Sequence, residues 1–443
     1  MALFSRRDLQ TSVDTLSGHL TQTQLQAMVH RLNRGPSGLL LATEWEVSLL
    51  SAFSQCGKIE YEKDFGGKRH PDLLFQSGDS GKFEFLADIT TISDVYAHEQ
   101  NPYDDFCAEI RIFLQKHGHI SGGLRIDVQH EMHGAYGNRK VRLLLPQKAQ
   151  VQEFVKAKLG TFLALLVKEP DSDHGLFYNQ SGIRFTIHYD SREKRFDGGS
   201  HFDYTVPYSK RRNPLRNALW NKAIQLLESG YTGSTGVIVC DGGCDALNER
   251  SGANGAYGCH QIIEEVFRST LPILFVLVLR VQESRPNFPS DSSVKIVPKL
   301  YWKTGWEKAQ VSTALSAIER MSQLLPAPED TPMNAIHSLK GSNGHIGRPL
   351  GGFSMQGGTI KISARALTQL LAGEIELKRF LQQHGLKSLT AREPTFAFFE
   401  QQLKRGHTLR KAFVEPDEHK DDDWIVLEYA GPDSAISPYL VPK

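Results

Sequence analysis

One helical segment followed by three short strand-like segments occupies the first hundred residues and sets the class of fold open to this chain. Apolar residues recur with helical spacing over residues 39–53, and Gly57 ends the pattern. Three short segments follow, each separated from the next by a glycine-containing turn: residues 58–63, 72–76 and 82–92. We therefore predict a helix followed by an antiparallel three-stranded meander.

Helical and strand patterns continue to alternate beyond this point. A helix is predicted over residues 103–117 and a strand over 124–129, which together with the meander gives a compact α/β order. Further helix–strand pairs are predicted from the following segments: 215–227 with 236–240, and 264–268 with 271–281. A loop is predicted over residues 282–298, which are rich in proline and serine.

Domain boundaries are predicted where composition changes. The clearest linker is the proline-rich stretch 326–332. We predict a helical N-terminal segment over residues 1–34, an α/β core with insertions over 35–310, and a smaller C-terminal α+β domain over 333–443.

Composition excludes several classes of protein. Of 443 residues, 40% are hydrophobic, and Lys and Arg (51) nearly balance Asp and Glu (50), so no global field recruits nucleic acid or membrane. The longest apolar run, residues 271–279, is too short for a bilayer and contains Pro272. Because this run is so short, we expect no membrane contact. Five cysteines form no disulfide framework, which favours a reducing, cytoplasmic location.

Two carboxylates on neighbouring predicted strands are the main chemical signal. Asp72 begins the second strand of the meander, and Asp88 lies within the third, on the same face as Thr90. If the strands pair antiparallel, Asp72 and Asp88 converge. Two carboxylates suit a Mg²⁺ or Mn²⁺ ion, which completes its shell with water and phosphate oxygens and promotes phosphodiester cleavage.

The preceding helix offers a third carboxylate. Glu46 falls within the apolar stripe of the helix, whereas Glu44 points to the other side with Ser48 and Ser51. A buried carboxylate is costly without a cation or donor nearby. Glu46 is therefore the better candidate to support a metal or a water, and Glu44 is second.

The motif Pro71-Asp72 … Asp88-Ile89-Thr90, preceded by a helical Glu46, resembles that of the PD-(D/E)XK nuclease superfamily. The resemblance covers residues from about 39 to 129. It implies a restriction-endonuclease-like αβββαβ core, here with an extended mixed sheet, and Mg²⁺-dependent cleavage of DNA or RNA with Asp72 and Asp88 as metal ligands. It also implies a setting such as bacterial restriction or antiphage defence, with partner proteins of that system.

The sequence departs from the family pattern at Thr90, where the family has a lysine. Lys63, on the adjacent strand, is one substitute. Another is Lys222, which lies three residues before Gln225 on a predicted helix and hence on one face with it. Proteins similar to this superfamily often carry such a helix after the core. A solvated surface lysine is the alternative interpretation of Lys222.

A local basic segment is the candidate contact with nucleic acid. Basic residues outnumber acidic ones between Ser191 and Arg216, and aromatic residues that could stack on bases are interleaved with them. The candidate phosphate contacts are Arg192, Arg195, Lys210, Arg211, Arg212 and Arg216. A solvated charged loop is the competing interpretation.

Two rival functions remain open from the sequence. One is a catalytically silent member of the superfamily that binds nucleic acid or a partner, with Thr90 marking the lost lysine. The other is an unrelated α/β enzyme that uses the loop at Asp241 to bind a nucleotide. Cys240, Cys244, Cys259 and His260 also supply zinc-binding atoms, but their spacing fits no common zinc motif.

Overall fold

The computed structural model describes residues 3–34, 37–77, 83–95, 100–117, 122–133, 140–193, 197–202, 213–249, 257–284, 293–341, 353–356, 359–377, 380, 398–418, 420–433 and 435. The chain is a mixed α/β protein in two compact units. The first unit comprises Met1–Cys56, Val281–Ile296 and Arg320–Lys443, and the second comprises Gly57–Arg280 and Val297–Glu319.

These units divide the chain differently from the predicted boundaries. The N-terminal helices and the C-terminal region belong to the same unit. Within it, the backbone N–H of Arg6 donates to Asp421, and the backbone N–H of Glu329 donates to Leu3. Composition marks linkers along the chain, but it does not report such long-range pairings.

The described secondary structure includes helices throughout the chain. In chain order they are α1 (Arg6–Leu16), α2 (Gln22–Arg34), α3 (Ser37–Cys56), α4 (Tyr103–Lys116), α5 (Val151–Phe154), α6 (Gly160–Lys168), α7 (Pro214–Glu228), α8 (Cys259–Phe267), α9 (Lys308–Leu324), α10 (Pro332–Gly341), α11 (Ala364–Leu371) and α12 (Phe398–Lys404). A π-helical turn, Val155–Leu159, joins α5 to α6. No helix among the described residues is both long and apolar enough to cross a bilayer.

The strands form several sheets. In chain order they are β1 (Gly57–Glu60), β2 (Leu73–Ser77), β3 (Glu84–Ile92), β4 (Leu124–Val128), β5 (His130–His133), β6 (Lys140–Leu143), β7 (His174–Gln180), β8 (Ile183–Tyr189), β9 (Gly198–His201), β10 (Ser234–Asp241), β11 (Phe275–Ser284), β12 (Ser293–Trp302), β13 (Phe353–Gln356), β14 (Thr359–Ser363), β15 (His407–Glu415) and β16 (Trp424–Pro432).

The largest described sheet has the order β1-β2-β3-β10-β11-β12. Strands β1 to β3 form the predicted antiparallel meander, and β10 pairs in parallel with both β3 and β11. Helix α7 packs against β3 and β10 through its apolar face, which includes Leu219, Ala223 and Leu226. This packing fixes the position of α7 relative to the meander.

The predicted strand over residues 124–129 forms, but it does not extend the meander sheet. It is β4, which lies in a separate four-stranded sheet of order β7-β8-β4-β9. The strand beside β3 is β10, whose residues after Ser234 are all buried, whereas β4 alternates between buried and more exposed residues. An apolar run suits a covered parallel position. Periodicity thus predicted both strands but not their partners.

The prediction of a loop over residues 282–298 was wrong in part. Strand β11 continues to Ser284, and β12 begins at Ser293 and includes Pro298. Proline lacks a backbone donor, so it is tolerated in a strand at the edge of a sheet, which is the position of β12.

The C-terminal region is α+β, as predicted. Its sheet has the order β13-β14-β16-β15, with antiparallel pairing throughout. A small apolar core lies on this sheet, formed by Ile360, Ile362, Ala366 and Phe380.

Candidate functional site

The structure brings Asp72 and Asp88 together, as the antiparallel pairing predicts. Leu73 pairs with Ala87, so Asp72, one residue before β2, lies opposite Asp88 on β3. The Asp72 carboxylate accepts a hydrogen bond from the backbone N–H of Ile89 at 2.7 Å, and the two carboxyl groups contact each other. Asp88 is buried, whereas the Asp72 side chain is 22% exposed, so the pair is accessible from the side of Asp72.

Lys222 completes this cluster. Its Nζ donates to Oδ1 of Asp88 at 2.6 Å and lies 3.9 Å from Oδ2 of Asp72. On α7 the lysine borders the buried stripe, so its stem is covered while its ammonium group reaches β3. We call Asp72, Asp88 and Lys222 the acid–lysine cluster.

The electrostatics of the cluster follow from two carboxyl groups in contact. Burial, followed by the hydrogen bond and the negative charge of Asp88, holds the pKa of Asp72 well above its ordinary value. The Lys222 ammonium and the Ile89 N–H act in the opposite direction. The site therefore favours a bound positive charge or a proton.

Thr90 and Lys63 occupy different places. Thr90 lies two residues beyond Asp88 on β3, on the same strand face, and is partly exposed. Lys63 donates to Glu60 at 3.1 Å and lies over the ring of Phe65. The lysine at the two aspartates is therefore Lys222, contributed by a helix 134 residues beyond Asp88.

Glu46 belongs to the other compact unit, where it has a cationic partner. Its carboxylate accepts from Arg31 of α2 at 3.1 Å. The sequence indicated that this buried carboxylate needs a cation, but it gave no signal for Arg31 as the donor. The support that Glu46 was expected to give to a metal or water stays a prediction.

Glu44 shares a side of α3 with Ser48 and Ser51, as predicted, but that side is buried as well. It is completely buried, because α3 is covered on several sides by α1, α2 and α10. Its Oε2 accepts from the backbone N–H groups of Leu3 and Phe4 at 2.8 and 3.4 Å. Burial raises the pKa of Glu44 to about 8.

This raised pKa predicts a pH-dependent stability. The unfolded carboxyl group ionises near its ordinary pKa of 4.5 and the folded one near 8, so between these values unfolding releases a proton. The free energy of unfolding therefore falls as pH rises from about 5 to 8, by about 3 kcal/mol at pH 7 from this group. We expect Glu44→Gln to remove this contribution.

Chemical denaturation at pH 5, 6, 7 and 8 measures the effect as the difference between wild type and Glu44→Gln. Glu153→Gln, at an exposed helical position, is the matched control and retains the wild-type slope. If the free energy of unfolding depends on pH in the same way for wild type and Glu44→Gln, the raised pKa of Glu44 is refuted.

The basic segment is only partly described. Arg195, Lys210, Arg211 and Arg212 lie outside the described residues. Arg192 is exposed and pairs with Asp190 at 3.1 Å. Arg216 pairs with Glu265 at 3.3 Å and stacks over Trp220. The expected contact of these residues with nucleic acid stays a prediction.

The Asp241 loop and the cysteines have structural partners. Oδ1 of Asp241 accepts from the backbone N–H of Gly243 at 2.8 Å, which closes its own turn. All five cysteines are buried thiols outside any disulfide, and burial raises the pKa of Cys259 to about 12. Within the part of the chain that the structure describes, no three His, Cys, Asp or Glu residues group as metal ligands. The zinc and nucleotide alternatives thus gain no support.

Compared with known proteins, the chain matches no family model, no curated protein and no solved structure. Function is therefore inferred from the acid–lysine cluster and its surroundings.

Proposed function

We propose that the chain is a Mg²⁺-dependent phosphodiester hydrolase that acts on nucleic acid, with the acid–lysine cluster as its active centre. The observation that carries this proposal is the position of Lys222, whose ammonium group lies 2.6 Å from Asp88 and 3.9 Å from Asp72. Two acids and a lysine are the side chains that the resemblance to PD-(D/E)XK nucleases implies.

The order of elements supports the same proposal. Helix α3, the antiparallel strands β1 to β3, helix α7 and the parallel strand β10 follow one another in the order that the resemblance implies, with the elements from α4 to β9 inserted between β3 and α7. In this arrangement Lys222 would substitute for the lysine that the family has at the position of Thr90.

The donor set fits a magnesium or manganese ion. Asp72 and Asp88 supply two carboxylates from adjacent strands, and the contact between them makes a cation favourable. Mg²⁺ commonly binds one or two carboxylates and keeps several waters or phosphate oxygens. When bound there, such an ion would polarise the phosphate and lower the pKa of a coordinated water.

The protein side chains have distinct roles in this proposal. Asp88, held on β3, orients Lys222 through their short hydrogen bond. The ammonium group is then placed to donate to the attacking water or to a phosphate oxygen as negative charge develops. The Ile89 N–H orients the Asp72 carboxylate, which would arrange part of the cluster before substrate arrives.

Purified protein incubated with labelled DNA and RNA tests the proposal directly. We expect cleavage with Mg²⁺ or Mn²⁺, and loss of cleavage when EDTA removes the metal. Both single strands and duplexes are included, because the cluster does not distinguish between them. Absence of cleavage for every substrate would overturn the proposal.

The Lys222–Asp88 ion pair also favours a second function. The lysine neutralises one of the two carboxylates, so the ion pair has a structural role that needs no metal. A catalytically silent protein that binds nucleic acid would retain this ion pair. Nucleic-acid binding without metal-dependent cleavage is the result expected for that alternative.

A further inference from the structure

Three consecutive basic residues lie in the loop between β1 and β2, shortly before Asp72 of the acid–lysine cluster along the chain. They are Lys68, Arg69 and His70, and all three are exposed, with 59% of the Arg69 side chain and 46% of the His70 side chain accessible. Asp72 follows Lys68 by four residues, so the backbone places this basic group within about 14 Å of Asp72.

The loop is held in a defined position against the C-terminal end of α7. The backbone N–H of Lys68 donates to the carbonyl oxygen of Glu228 at 2.8 Å. Gly67 packs so closely that a Cβ there would lie 2.2 Å from the same oxygen. Since α7 also carries Lys222, one helix supports both the loop and the lysine of the cluster.

The charges of β1 and of the loop that follows it are distributed unevenly. Lys58 and Lys63 both pair with Glu60, at 3.2 and 3.1 Å. By contrast, the Lys68 ammonium has no ion-pair partner among the described residues. The basic character of the loop is thus concentrated at the end that joins Asp72.

Arg69 has a partner that it can exchange. It pairs with Glu228 at 3.5 Å, and both side chains are exposed. Exposed pairs of this kind contribute at most about 1 kcal/mol to stability. A phosphate group, which accepts a forked and charge-assisted pair of hydrogen bonds, competes well for the guanidinium.

The acidic residues of the loop lie farther from the cluster along the chain. Oδ1 of Asp64 accepts from the backbone N–H of Gly66 at 2.7 Å and lies 4.0 Å from Nδ1 of His70. Glu62 is exposed. Both precede the glycine turn, whereas Lys68 and Arg69 follow it.

We propose that Lys68 and Arg69 bind the phosphodiester backbone of a nucleic-acid strand, next to the phosphate that the acid–lysine cluster receives. The inference rests on the proposed function, and it assigns the surface that would hold the phosphates next to the one that is cleaved. A mononucleotide offers no neighbouring phosphate for this surface, whereas a strand gains affinity from each phosphate that it places against a cation.

The test is nucleic-acid binding in EDTA, measured by fluorescence anisotropy with labelled 20-nucleotide DNA and RNA, single-stranded and duplex. We expect Lys68→Ala/Arg69→Ala to weaken binding at least tenfold at low salt for all sequences. The slope of log affinity against log salt should flatten by about 0.9 per lost duplex contact, or about 0.7 for a single strand.

Two further variants control for net charge and loop structure. Lys156→Ala/Lys158→Ala removes the same charge from exposed positions within the π-helical turn and should leave binding unchanged. Lys68→Arg/Arg69→Lys keeps both charges and should bind within about twofold of wild type.

The outcomes separate this inference from the proposed function. Three results would overturn the inference. One is an equal loss of affinity in Lys68→Ala/Arg69→Ala and in the Lys156→Ala/Lys158→Ala control. The others are unchanged affinity in Lys68→Ala/Arg69→Ala and a wild type that binds no nucleic acid. Because EDTA prevents metal-dependent cleavage, these results are independent of catalysis. If the variants bind as expected but the wild type does not cleave nucleic acid in Mg²⁺, the proposed hydrolase function is overturned instead.

Discussion

Asp88→Asn should reduce Mg²⁺-dependent cleavage of nucleic acid by about 1,000-fold or more while the protein stays folded. The substitution keeps the size of the buried side chain and removes the charge that faces Asp72 and Lys222. A metal ligand supplies several kcal/mol of transition-state stabilisation, and each 1.36 kcal/mol corresponds to about a factor of ten in rate. Initial cleavage rates over a range of Mg²⁺ concentrations measure the loss.

A matched control is available on the same strand. Glu84 lies four residues before Asp88, on the same face of β3, where it accepts hydrogen bonds from Gln76 and Tyr231. Glu84→Gln removes one negative charge from that face and should leave cleavage within about twofold of wild type. Equal losses for Glu84→Gln and Asp88→Asn would exclude a specific role for Asp88.

Lys222→Met should reduce cleavage by about 100-fold or more, since the change removes the ammonium group and keeps most of the apolar stem. Loss of a preorganised donor at a developing charge commonly costs a factor of 10² to 10³. Single-turnover cleavage rates at saturating Mg²⁺ measure the chemical step. Thermal unfolding is measured in parallel, because the two carboxyl groups then face each other without their cation.

Thr90 provides the comparison for this prediction. Thr90→Ala should have little effect, because the lysine at the aspartates comes from α7 rather than β3. Thr90→Lys in the Lys222→Met background should restore part of the activity, since position 90 is on the same strand face as Asp88. Full activity in Lys222→Met, together with its loss in Thr90→Ala, would contradict the role of Lys222.

The local part of this site could be predicted from the sequence. The glycine turns and apolar segments specified the antiparallel meander, and the positions of Asp72 and Asp88 within it specified their convergence. Both inferences need only short-range information, because consecutive strands joined by short connections usually pair with each other.

The distant parts could not be predicted in the same way. Strands β4 and β10 both carry apolar patterns, and periodicity does not reveal which of them pairs with β3. Likewise, the partner of Glu46 proved to be Arg31, although many basic residues could have served. These choices depend on which surfaces remain uncovered once the local elements have formed.

The separation of the acid–lysine cluster along the chain has a consequence for biosynthesis. Asp88 is translated 134 residues before Lys222, with the whole β4-containing sheet between them. At 5–20 residues per second, the carboxylates leave the ribosome roughly 7–27 s before their lysine. A nascent chain would therefore carry the two carboxylates without their lysine until α7 had been made, and the centre of the proposed hydrolase would be complete only after that point.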